Sequence, residues 1–200
     1  MKRNLDAEDK RKIHSEINQL VNQRFLLATA AVTVFAVISA WSIPKDVANT
    51  HSVGAFICAV SFLLTLILFV LFLLNHLLAN VLRTYSSYLR IADESKWEQD
   101  WKEYRSAGYL AYTKAIATLF LVLGIVSSVF PFALGFIYSL TFEPATGLWL
   151  TGGIGVTYAI FVSGMGFFHW FDQEEVIDQR WQGILAKIQT PDCDIEKKAE

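Results

Sequence analysis

His169, Asp172 and Glu175 stand at successive three-residue spacings, which place one imidazole and two carboxylates along one face of a helix. Nitrogen and oxygen donors of that kind are metal ligands. A working metal site needs three or four ligands and hydrogen-bonded supporting partners, and no second histidine motif completes this set. The expectation is therefore an interfacial histidine followed by solvated acids. Asn75-His76 forms a weaker polar pair. The two cysteines, Cys58 and Cys193, form neither a disulfide framework nor a CxxC pair. Cys58 falls inside an apolar run and reads as a small filler. The chain has no GxxxxGK[ST] phosphate loop, no HExxH and no GxSxG nucleophile elbow. Nor does it carry the basic, aromatic patch that binds nucleic acid. No catalysis, metal, cofactor or nucleic acid is expected.

The elements that position these residues are unusually apolar. Of the 200 residues, 54% are hydrophobic and 18% charged, and the apolar ones fall in long runs. Residues 25–43, 115–142 and 144–168 are uncharged, and 52–82 are uncharged apart from the titratable His76. Each run reaches the roughly 18–20 residues that cross a hydrocarbon core about 30 Å thick. An all-α integral membrane protein is predicted, with spans at 25–43, 52–78, 113–140 and 148–171. The first span follows 24 polar, helix-forming residues and runs on to Trp41 without a cleavage signal. It is therefore expected to remain in the mature protein rather than act as a signal peptide.

Charge distribution predicts orientation. Residues 1–24 and 83–114 carry six Lys and Arg each, and 172–200 carry four. Between spans 1 and 2 there is only Lys45, and between spans 3 and 4 none. Sixteen of the seventeen basic residues thus share one side, which the positive-inside rule makes cytoplasmic. The expected location is the inner or plasma membrane, with both termini in the cytoplasm.

The cytoplasmic segments have helical patterning of their own. Asp6, with Asp9 three residues on, approximates a capping box. Ile13, Ile17, Leu20 and Arg24 then follow at spacings of 4, 3 and 4, so 1–24 reads as an amphipathic helix continuous with span 1. Span 2 continues through Leu78, Val81, Tyr85, Tyr88 and Ala92, with Arg83 and Arg90 off that line. A break at Asp93-Glu94 precedes a capping box, Ser95 to Glu98, and a helix carrying Trp97, Trp101, Tyr104 and Gly108. Residues 79–112 are therefore expected to form a helical hairpin. Beyond span 4, Ile177, Trp181, Ile184 and Ile188 repeat the pattern over 172–190, and a disordered tail is expected over 191–200. An amphipathic helix must bury its stripe. The expected arrangement continues the four-helix bundle outside the membrane, or uses the same stripes between subunits. Lying flat on the bilayer normally takes a strongly basic polar face, and here acids balance the bases.

Within the spans, close packing brings helices together and small residues permit it. Thr151, Gly155, Ala159 and Ser163 recur every fourth residue on span 4, and Gly124 and Ser128 share that spacing on span 3. These six are the expected helix-packing or oligomer contacts. Pro131 follows Ser127 and Ser128; it is a candidate hinge, with a static kink as the plainer account. The serine hydroxyls are expected to satisfy backbone groups that the proline frees. Lys114, His76 and His169 lie near the predicted inner ends with Tyr109, Tyr112 and Trp170, while Trp41 and Trp149 mark the outer ends. The lack of a deep ionisable residue argues against a proton-coupled transporter or voltage sensor, though not against a pore lined by hydroxyls or backbone.

This layout is similar to that of small four-span membrane components of bacterial anti-phage defence systems, in which a membrane protein works with a cytoplasmic sensor or effector. The similarity lies in the helix plan and the extensions, and it transfers no site residues. Three functional readings follow. The first is an oligomeric, channel-like or membrane-integrity-sensing component. The second is an anchor or scaffold that recruits a cytoplasmic partner through Tyr85, Tyr88, Trp97, Trp101, Tyr104, Ile177, Trp181 and Ile184. The third is a small-molecule transporter or lipid enzyme. The expected partners are membrane lipids, further copies of the chain and a cytoplasmic protein.

Overall fold

The computed structural model describes residues 7–44, 50–93, 111–140, 146–168 and 174–189. Five helices account for nearly all of them: α1 (Ala7–Trp41), α2 (Thr50–Asp93), α3 (Ala111–Tyr138), α4 (Thr146–Gly166) and α5 (Glu174–Gln189). Four of these, α1 to α4, are long and apolar enough to cross a membrane. The predicted capping residue Asp6, the hairpin segment 94–110 with Trp97, Trp101 and Tyr104, and the tail 191–200 lie outside the described residues. His169 and Asp172 do so as well.

The chain divides into two compact units. One comprises residues 23–77 and 111–171, which hold the apolar parts of the four long helices. Its core draws on all four: Ala31 from α1, Leu64, Leu68 and Phe72 from α2, Ile116, Phe120 and Leu123 from α3, and Tyr158 and Val162 from α4. On α2, Ile57, Ser61, Leu64, Leu68, Phe72, Asn75 and Ala79 are all buried. Their spacings of 4, 3, 4, 4, 3 and 4 keep one face turned inward for six turns. Phe72 meets Phe120 edge-on with ring centroids 5.6 Å apart. A smaller cluster joins Ile57 to Leu134 and Leu140.

The opposite faces of these helices are apolar too. Phe25, Leu26, Leu63, Leu74, Val129 and Val156 are exposed, and Phe136 is 90% exposed. Apolar surface on that scale is a liability in water and is at home against acyl chains. The arrangement is that of a multi-pass membrane protein.

The helix ends follow local chemistry. At the end of α1 the Ser42 hydroxyl donates to the Ile38 carbonyl at 2.6 Å and its amide donates to the same oxygen at 3.0 Å. Pro44, two residues on, cannot continue a helix. At the end of α3, Ser139 takes a left-handed φ of 51°, and the Leu140 amide reaches back to the Gly135 carbonyl at 3.1 Å. That is a Schellman closure with serine where glycine is usual. α4 closes at Gly166, where the amides of Phe167 and Phe168 both donate to the Ser163 carbonyl.

The second unit comprises residues 1–22, 78–110 and 172–200. Its described parts are the N-terminal stretch of α1, the C-terminal stretch of α2, and α5.

Candidate functional site

In the second unit, the described polar chemistry centres on α2 and α5. Arg90 is buried on α2 and forms an ion pair with Asp178 of α5. The Ser87 hydroxyl, one turn before Arg90, donates to the same carboxylate oxygen, Asp178 Oδ1. One turn along α5 the Trp181 ring lies against Tyr88 with centroids 4.7 Å apart and planes at 55°. The guanidinium and hydroxyl together neutralise and bind the acid, which makes its burial tolerable.

The predicted seams thus need turning. On α5, Ile177 and Trp181 are half-buried, but Ile184 is exposed, and among the described side chains the buried positions are Asp178 and Leu185. The side chain of Ile188 lies outside the described residues. On α2, Tyr85 and Tyr88 are half-buried and Ala92 is buried, whereas Val81 is exposed. Arg90, expected off the seam, is buried. On α1, Ile13, Ile17 and Leu20 are half-buried along one face. Glu16 shares that face and accepts a hydrogen bond from the Tyr85 phenol. That carboxylate raises the pKa of Tyr85 above its ordinary 10.0, first by the hydrogen bond and then by its charge.

In the first unit, α3 and α4 pack through small residues. A Cβ on Gly155 would stand 2.4 Å from the side chain of Ser128, and one on Gly166 would stand 2.5 Å from the Ala117 Cβ. Gly124 lies beneath the ring of Tyr158, where a Cβ would come within 2.0 Å. As numbers rise along α3 the contacted numbers fall along α4, the register of an antiparallel pair. Tyr158 crosses the gap at Gly124 and its hydroxyl donates to the Phe120 carbonyl at 2.7 Å.

Gly124, Ser128, Thr151 and Gly155 are therefore buried, whereas Ala159 and Ser163 are half-buried. The inward line passes instead through Thr151, Gly155, Tyr158 and Val162. A strict repeat of four advances 400° and drifts 40° per step on a helix of 3.6 residues per turn. Ala159 and Ser163 consequently come round to another face, where they line a shallow groove of about 380 Å³ with Val156, Ile160, Gly164 and Phe168.

Pro131 is buried within α3, which continues through it from Ala111 to Tyr138. Proline lacks the amide that would bond the carbonyl four residues earlier, here that of Ser127. Sequence spacing predicts a local serine as its replacement. Ser128 instead donates to the Gly124 carbonyl at 2.8 Å. The Ser61 hydroxyl of α2 donates to the Ser127 carbonyl. In return Ser127 donates its hydroxyl to the Ser61 carbonyl at 3.3 Å, and Thr65 Oγ1 lies 3.0 Å from that hydroxyl.

Two further outcomes concern polar groups. Asn75 pairs with Arg24 on α1: the guanidinium Nε donates to its carboxamide oxygen at 3.2 Å, and its Nδ2 donates to the Arg24 carbonyl at 3.0 Å. Arg24 is thereby buried although sequence reading counts it with the cytoplasmic charges. Among the described residues, no group of three His, Cys, Asp or Glu side chains is placed to hold a metal ion. Of the proposed triad only Glu175 is described, and it is exposed.

Comparison of the chain with protein-family models, with curated proteins and with solved structures finds no match.

Proposed function

We propose that the chain is a membrane anchor whose second unit is a cytoplasmic docking module for a soluble protein partner. The observation that carries this reading is the polar junction of Ser87, Arg90 and Asp178 beside the Tyr88–Trp181 contact. A helix that merely rested on lipid would need no buried ion pair to fix its position. Buried charges held by several partners set one arrangement of helices over others, which suits a surface that must be recognised. The positive-inside rule supports the cytoplasmic side, because sixteen of the seventeen basic residues belong to segments on one side of the predicted spans. The layout similarity to membrane components of defence systems points the same way, since those components work with a cytoplasmic sensor or effector.

A second reading, an oligomeric and channel-like component, is favoured by the groove at Ala159, Ser163 and Gly164. Small residues lining a groove on a helix suit packing against another span, and a pore assembled from several copies would need such contacts.

Ion flux in liposomes distinguishes the two. Under the anchor reading, the purified chain leaves flux at the level of protein-free liposomes at every protein-to-lipid ratio. Flux that rises steeply with that ratio overturns the anchor reading and favours the oligomeric one. In cells, deleting residues 93–106 removes a co-purifying soluble partner while the protein stays in the membrane fraction. A partner retained at full yield by the deletion variant rejects docking through that segment.

A further inference from the structure

The proline in α3 and the serine on α2 belong to one device. Pro131 leaves the Ser127 carbonyl without its intrahelical donor, and its ring crowds that same oxygen. In a membrane interior an unsatisfied carbonyl costs several kcal/mol, so the freed group must find a partner in the protein. Its partner is the hydroxyl of Ser61, on a different helix. Ser61 is 2% exposed, Ser127 1% and Thr65 1%, so water is not at hand to replace it. The exchange is mutual, because Ser127 Oγ donates to the Ser61 carbonyl at 3.3 Å and Thr65 Oγ1 donates to that carbonyl at 2.9 Å.

We infer that Ser61 is a cross-helix clamp on a joint built into α3 at Pro131, and that releasing it frees the segment 131–138 to move against α2. On one side of the joint, α3 is held by its small-residue contacts with α4 at Ala117, Gly124 and Ser128. On the other side, Leu134 and Leu140 pack on Ile57, with Val53 and Tyr138 against them. Ile57 and Ser61 stand one turn apart on α2. The clamp therefore ties the joint to the same stretch of helix that carries the apolar contacts of the moving segment. Two states follow from this arrangement. In the closed one the Ser127 carbonyl belongs to Ser61. In the open one that carbonyl has given up this donor, at a cost of several kcal/mol, and 131–138 has lost a restraint. This goes beyond the docking module, since it concerns the other unit.

The test is a cycle of four proteins in detergent: the parent chain, Ser61→Ala, Pro131→Ala, and both together. With Pro131 present, Ser61→Ala lowers the unfolding midpoint by at least about 2–4 °C, the shift for one interhelical hydrogen bond in a chain of this size, and by more to the extent that the Ser127 carbonyl stays unsatisfied. With alanine at 131 the amide returns and takes the Ser127 carbonyl, so Ser61→Ala lowers the midpoint by less than half as much. Amide exchange over residues 132–138 rises several-fold in Ser61→Ala. It stays at the parent level in Thr65→Val, which removes a hydroxyl whose partners are the Ser61 carbonyl and the Ser127 hydroxyl. Equal midpoint losses in the two backgrounds overturn the inference. So does unchanged exchange in Ser61→Ala, or an equal rise in Thr65→Val, which would mean general loosening. Should Pro131→Ala fail to fold, the exchange comparison decides alone.

Discussion

Arg90 on α2 and Asp178 on α5 form a buried ion pair, and Ser87 donates its hydroxyl to the same carboxylate oxygen. Each charge is tolerated because the other is present. Removing one leaves the other buried without its counter-charge, a loss of about 3–5 kcal/mol. Replacing both with apolar residues of similar volume removes the desolvation penalty together with the attraction. Asp178→Leu alone is therefore expected to be strongly destabilising, and Arg90→Met with Asp178→Leu to recover most of the loss. Thermal unfolding of the two single variants and the double variant measures this directly. Additive losses would show that the two side chains do not depend on each other.

Gly124 and Tyr158 make a comparable dependence within the span-forming unit. A methyl group at 124 would stand 2.0 Å from the Tyr158 ring, so the ring must leave its place and give up its bond to the Phe120 carbonyl. Gly124→Ala should lower stability by about 1–3 kcal/mol, the range for overpacking. Tyr158→Phe keeps the ring and loses only the hydroxyl, and should cost about 0.5–1.5 kcal/mol. Denaturation in detergent that ranks the phenylalanine variant below the alanine variant would contradict the packing described. Gly155→Leu should behave like Gly124→Ala, because Gly155 faces Ser128 of the same chain. Its first effect is on stability rather than on oligomer mass.

The long uncharged runs make the span-forming helices plain in the sequence, because length and lack of charge suffice to mark such a segment. Gly124, Ser128 and Gly155 are also legible, since small residues at helical spacing have few other uses in a span. Tyr158 is not, because its role depends on the space left by a glycine on another helix. Arg90 and Asp178 are missed for a similar reason. Pattern reading assigns charged residues to the solvated face, and a pair 88 residues apart in sequence leaves no local trace. A hint exists in the spacing, since Asp178, Trp181 and Leu185 follow a helical stripe of their own. The Ser61 bond to the Ser127 carbonyl is hidden too. A proline announces a freed carbonyl, but not which helix will supply its donor.

Ser139 offers a test of backbone strain. Its φ of 51° is left-handed, where a side chain is crowded and glycine is not. Ser139→Gly should therefore stabilise the chain by about 0.5–1 kcal/mol by relieving that crowding, less the added chain entropy of the unfolded state. Ser139→Val should destabilise by more than that, because a β-branched residue tolerates the left-handed region worst. Unfolding midpoints of the two variants check this. A valine variant as stable as the parent would mean that the end of α3 does not close through a left-handed residue.

Tyr85 and Glu16 make a pH-dependent contact between α2 and α1. The carboxylate holds the phenol in its neutral form, so the folded pKa lies above 10.0. An acid bound more tightly as its protonated form in the folded state adds stability that is complete below its unfolded pKa. That stability fades as pH rises from the unfolded value through the raised folded one. The window is therefore alkaline, beginning near pH 10. Tyrosinate absorbance followed against pH should lose one late-titrating component in Tyr85→Phe, and the difference from the parent chain is the Tyr85 phenol. Glu16→Gln removes the charge and should bring the same phenol back towards its ordinary value. An unchanged titration in Glu16→Gln would show that the raised value has another cause, and that Glu16 does not hold Tyr85.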